Sequence, residues 1–80
     1  MTVDRREMVR GLVMEIAPDA DLASINPDGD LRREADLDSL DFQTLIERVA
    51  ETTGVEIPEA DYPQVRSLQG LSDYVDAHVR

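Results

Sequence analysis

The residue best placed for chemistry is Ser39, within Leu37-Asp38-Ser39-Leu40-Asp41. A serine acts as a nucleophile in its own right only beside a base and an oxyanion hole. No Gly-x-Ser-x-Gly elbow surrounds it. The only histidine, His78, stands near the C-terminal end, where it suits the dipole of a last helix better than the role of a base. Carboxylates are plentiful, but 80 residues leave little room for a convergent pocket around them, so no catalytic residue is expected. Helix capping is the simplest role for this segment: Asp38 or Ser39 can accept a hydrogen bond from a free backbone N–H, and the acids suit a helix N-terminus. A serine at a helix start, after a long connection and within an acidic surface, is also what a phosphodiester attachment point needs, because the helix N-terminus tolerates the resulting anion. Phosphorylation by an acid-directed kinase is less well supported, since no arginine cluster is in place to read a phosphate.

The Asp-rich stretch before Ser39 raises the question of a calcium loop. With Ser24 as the first position, Asn26, Asp28 and Gly29 fall third, fifth and sixth, but the twelfth position, which must supply a bidentate glutamate, is Ala35. Starting at Asp19 puts Ser24 where the glycine belongs. Turn chemistry accounts for these residues, and no metal site is expected. There are no cysteines, so disulfides and thiolate metal sites are ruled out and any thiol chemistry must use an imported thiol.

These side chains must be held by a single small domain, residues 1–80, with one modest core. Hydrophobic residues make up 41% of the chain, enough for a compact fold despite the charge. Eighteen acids against 8 arginines give a net charge of −10, which repels nucleic acid and anionic membranes and favours basic protein patches. No apolar run approaches membrane-spanning length, and Met1-Thr2-Val3-Asp4-Arg5-Arg6 leads into a charged helix, so a cytoplasmic monomer is expected.

Val9, Leu12, Val13 and Ile16 form one helical stripe, with Met8 at its edge, predicting a helix over residues 3–17 that Pro18 stops. Turn formers dominate to about residue 37, where Leu22, Ile25, Leu31 and Leu37 can pin the connection to the core. A second stripe, Phe42, Leu45, Ile46 and Val49, predicts a helix over 39–53, capped by Gly54. Val55-Glu56-Ile57-Pro58 reads as extended, and Glu59–Tyr62 as one helical turn ended by Pro63. A last helix starts at Ser67 and turns Leu68, Leu71, Val75 and Val79 inward. The fold class is therefore all-α, a small bundle of three main helices and one short one.

In this frame Asp38-Ser39-Leu40 resembles the attachment motif of the acyl carrier protein family, at the start of that family's second helix. The likeness continues through Leu45-Ile46-Glu47, Gly54-Val55-Glu56-Ile57-Pro58 and Asp73-Tyr74-Val75, and covers essentially the whole chain. It implies a free-standing carrier rather than an enzyme. A 4′-phosphopantetheine arm, moved from coenzyme A to Ser39 by a separate magnesium-dependent phosphopantetheinyl transferase, would hold an acyl group as a thioester in fatty-acid, lipid or specialised-metabolite biosynthesis. Asp38 and Asp41 would flank the arm and face the transferase, and Leu40 would offer partners a small exposed apolar contact. Glu47 and Glu51, one turn apart on the outer face, would meet basic patches on acyl-loading and acyl-processing enzymes, although a merely solvated face explains them equally well. Phe42, Leu45, Ile46 and Val49 would form the core or line a pocket for the acyl chain. An aminoacyl or peptidyl carrier and an unmodified acidic interaction module are the alternatives. The chain departs from the family in having Ala35-Asp36 where a Leu-Gly pair is common, Thr44 and Arg48 interrupting the acidic face, a bulkier Phe42 and a smaller Thr53. These departures point away from housekeeping fatty-acid synthesis and towards a specialised set of partners.

Overall fold

The computed structural model describes residues 5–79. Three amphipathic helices carry the fold: α1, Arg5–Ile16; α3, Ser39–Thr53; and α4, Leu68–His78. A four-residue helix, α2, covers Leu31–Glu34, and 3-10 turns cover Leu22–Ser24 and Glu59–Val65. Helices of this length are marginal alone in water and persist by burying one face. Helix α1 packs on both α3 and α4, and the longer 3-10 segment packs on α4. The stripes meet as the periodicity requires: Val9, Leu12 and Val13 join Phe42, Leu45, Ile46 and Val49 and then Leu68, Leu71 and Val75 in one core. Ile16 and Val79, at the helix ends, are only partly buried. The start of the first expected helix, Val3 and Asp4, and the side chain of Leu22 lie outside the described residues.

The connection between α1 and α3 is more structured than its turn-forming composition implies. Asp30 caps α2 by accepting from the Arg32 amide at 2.9 Å, and Leu31 is fully buried. The same stretch is stitched to the start of α4: Leu31 N–H donates to the Arg66 carbonyl at 2.6 Å and Gln69 N–H to that of Pro27 at 2.8 Å. Ile25 and Leu37 are buried as expected. Helix α2 ends in a tight reversal in which Leu37 N–H donates to the Arg32 carbonyl at 2.8 Å, with Asp36 between them at φ 54°. This is the Schellman arrangement, and its left-handed position usually takes glycine.

Pro63 lies inside the 3-10 segment rather than ending it. Side-chain contacts outweigh the one amide that proline lacks. Val65 is fully buried, the Tyr62 ring meets Phe42 edge-on at 5.7 Å, and the Tyr74 hydroxyl donates to Asp61 Oδ2 at 2.7 Å. That bond, with burial and the Asp61 charge adding to it, raises the Tyr74 pKa. Ser67 caps α4 as the sequence implies, accepting from Gly70 N–H at 2.8 Å. Gly70 is dictated by close approach: a Cβ there would stand 2.5 Å from the Gln64 carbonyl oxygen.

Candidate functional site

The site forms where α2, the N-terminus of α3 and the 3-10 segment converge. Asp38, not Ser39, caps α3. Its carboxylate accepts from Asp41 N–H at 2.8 Å, and Asp41 reaches back to Asp38 N–H at 3.5 Å, a capping box built from two aspartates. Ser39 is consequently the first helical residue, exposed, with no hydrogen bond to its hydroxyl among the described residues. The other three serines are committed. Ser24 donates to Asp21 at 2.7 Å, Ser67 is the cap of α4, and buried Ser72 donates to the Leu68 carbonyl at 2.7 Å. Leu40 is 72% exposed, an apolar side chain held in solvent beside Ser39.

Ser39 opens onto a groove of ≈ 380 Å³ shared with Arg32, Phe42, Gln43, Glu59 and Tyr62. Farther along α3 a second groove of ≈ 470 Å³ runs between Ile46, Glu47 and Ala50 on one side and Ile57, Pro58 and Tyr62 on the other. Tyr62 borders both. Phe42 and Ile46 thus serve the core and also line these grooves, whereas Leu45 and Val49 are fully buried and purely structural.

The structure brings Asp38, Ser39, Leu40 and Asp41 together at one helix end and sets Glu47 on the rim of the second groove. Glu51 is exposed and weakly paired, 3.8 Å from Arg48 Nη1. Arg48 also holds Glu15 of α1 at 2.9 Å, so the arginine that interrupts the acidic face ties two helices together. Thr44 donates to the Leu40 carbonyl at 2.9 Å, and Thr53 donates to that of Val49 at 2.7 Å while accepting from Val55 N–H at 3.1 Å. His78 stays at the end of α4, exposed, stacked on Tyr74 and bonded through Nδ1 to the Tyr74 carbonyl at 2.7 Å. Among the described residues no cluster of metal-ligating side chains forms.

Sequence reasoning missed Arg32, Gln43, Glu59 and Tyr62, which no local motif marks. An accessible, uncommitted hydroxyl at a helix N-terminus with a cation in the same groove fits a phosphate-linked group.

A family model described as "Phosphopantetheine attachment site" matches residues 7–75. The chain is 30% identical to an acyl carrier protein of Rubrobacter xylanophilus over 79 residues, covering 95% of this chain and 96% of that one. It is 34% identical over 65 residues to polyketide-8 synthase acyl carrier protein 2 of Streptomyces avermitilis, covering 81% and 74% respectively. An acyl carrier protein of Micrococcus luteus is 23% identical over 74 residues, covering 90% of this chain and 91% of the relative. The chain belongs to the phosphopantetheine-bearing acyl carrier protein family. It is a carrier rather than an enzyme, and its cofactor is covalent 4′-phosphopantetheine.

Proposed function

We propose that this family member carries its arm on Ser39 and delivers acyl groups, as thioesters, between the enzymes of a biosynthetic pathway. The observation that carries the assignment is the division of labour at α3: two aspartates satisfy the helix end, so the Ser39 hydroxyl is left free. Loading forms a phosphodiester at Ser39 Oγ, with loss of the hydroxyl proton and departure of the nucleotide half of coenzyme A, on a separate phosphopantetheinyl transferase. Once attached, the arm supplies the terminal thiol that this cysteine-free chain lacks, and leaves the difficult chemistry to client enzymes. Tethering raises the cargo's effective concentration at each client without a permanent complex.

Asp38 and Leu40 present themselves to the transferase, and Asp41 contributes charge while completing the cap. Glu47 and Glu51 offer charge to basic docking patches. The grooves flanking Tyr62 can shelter part of a cargo. A specialised-metabolite pathway is supported by the broken acidic face of α3 and by the likeness to a polyketide synthase carrier.

The test is intact mass after incubation with coenzyme A and a broad-specificity transferase. One phosphopantetheine mass is expected on the parent and none on Ser39→Ala, with helical circular dichroism unchanged. Modification of the alanine variant, or an unmodified parent, refutes the assignment.

A further inference from the structure

The helix N-terminus suits a phosphate at Ser39, but the charge of the surrounding sequence opposes one. Between Glu34 and Asp61 the sequence holds nine acids and one arginine, Arg48. Arg48 is already engaged by Glu15 and Glu51. A phosphodiester at Ser39 adds another negative charge, and a diphosphate-bearing donor meets the same repulsive field on its approach. Glu59, on the groove that opens at Ser39, adds to it.

Among the described residues that line that groove, Arg32 is the only cation. It stands on α2, which the reversal with the Leu37-to-Arg32 hydrogen bond and the left-handed Asp36 joins to the start of α3. Its guanidinium is weakly committed: Nε lies 3.8 Å from Asp30 Oδ1, beyond hydrogen-bond range, and the side chain is 44% exposed. Arg33 carries the same charge but does not line the groove.

Resting on the assignment of Ser39, we infer that Arg32 is the counter-ion of the phosphodiester formed there, and that it draws the diphosphate of incoming coenzyme A to the hydroxyl. A guanidinium suits this role, because its planar fork pairs with phosphate oxygens and it is held less tightly by water than an ammonium. In this reading an acidic carrier keeps its docking surface while its modification point has a local positive charge.

The experiment compares the parent with Arg32→Ala, Arg32→Lys and Arg33→Ala, each melted at low salt before and after loading to completion. Loading should lower the melting temperature of Arg32→Ala by about 2–4 °C more than that of the parent, as expected for loss of one exposed charge pair in a domain of this size. Arg33→Ala should behave as the parent does, and Arg32→Lys should recover part of the difference. The rate of loading should fall about 2- to 5-fold in Arg32→Ala, the scale of one exposed charge pair, and the deficit should shrink as salt rises. Arg32→Gln keeps an aliphatic stem in the groove and replaces the alanine variant if that one fails to fold. Equal loaded-minus-unloaded melting shifts in Arg32→Ala, Arg33→Ala and the parent overturn the role of Arg32 while leaving Ser39 as the attachment point. A parent that does not load at all removes both.

Discussion

Asp36 is the position where a single substitution should improve this fold. At φ 54° it occupies the left-handed region, which costs an L-residue about 1–2 kcal/mol relative to right-handed backbone. Aspartate is among the residues that tolerate this best, because its short polar side chain bonds locally. Replacing it with glycine removes the steric cost, but returns about 0.5–1 kcal/mol through the greater freedom of the unfolded chain. The charge removed from a crowded acidic stretch adds a few tenths of a kcal/mol, the usual scale (~0.2–1 kcal/mol) of exposed charge interactions. The net expectation for Asp36→Gly is a gain of about 0.5–1 kcal/mol, or about 2–6 °C in melting temperature for a domain of this size. Asp36→Asn keeps the left-handed tolerance and drops the charge, so it isolates the electrostatic part and should gain less. Asp36→Ala should lose about 0.5–1 kcal/mol, because alanine bears the full left-handed cost. The assay is thermal unfolding of the unloaded chain by far-ultraviolet circular dichroism. A glycine variant no more stable than the asparagine variant, or an alanine variant as stable as the parent, would refute the backbone argument.

Gly70→Ala should destabilise by about 2 kcal/mol or more, since something must move away from the 2.5 Å contact with the Gln64 carbonyl, and denaturant unfolding will show it. Sodium chloride should raise the melting temperature by screening the net charge of −10, whereas calcium at matched ionic strength should add no saturable increment. Glu47→Lys should slow association with a client enzyme more than Glu51→Lys, whose parent carboxylate is already partly neutralised by Arg48, and stopped-flow rates across a salt series will compare them. Because the folded chain raises the Tyr74 pKa, the stability this bond contributes is fully present below the ordinary tyrosine value of 10.0 and is lost as pH rises through the folded value. Tyr74→Phe should flatten that alkaline decline in denaturant midpoint, and an unchanged slope would remove Tyr74 as its cause.

The amino-acid sequence was enough for the three main helices and the buried stripes, because both follow from local periodicity that one face of each helix must satisfy. It also singled out Ser39, through a motif and a frame of downstream segments readable without coordinates. Four features stayed open because the folded backbone, and not a period in the sequence, decides them. Asp38 and Ser39 are both competent caps, and only the backbone geometry at the start of α3 gave the cap to Asp38 and left the serine hydroxyl free. Helix α2 is too short for a period to show, and it exists because Leu31 is buried and its amide donates to the carbonyl of Arg66, on the far side of α3 in the chain. The same long-range packing keeps Pro63 within a helical turn, since Val65, Tyr62 and Asp61 are each held from elsewhere. The groove at Ser39 likewise depends on long-range packing. It takes Arg32 from α2, Phe42 and Gln43 from α3, and Glu59 and Tyr62 from the 3-10 segment, and no spacing rule relates these segments until the core has brought them together.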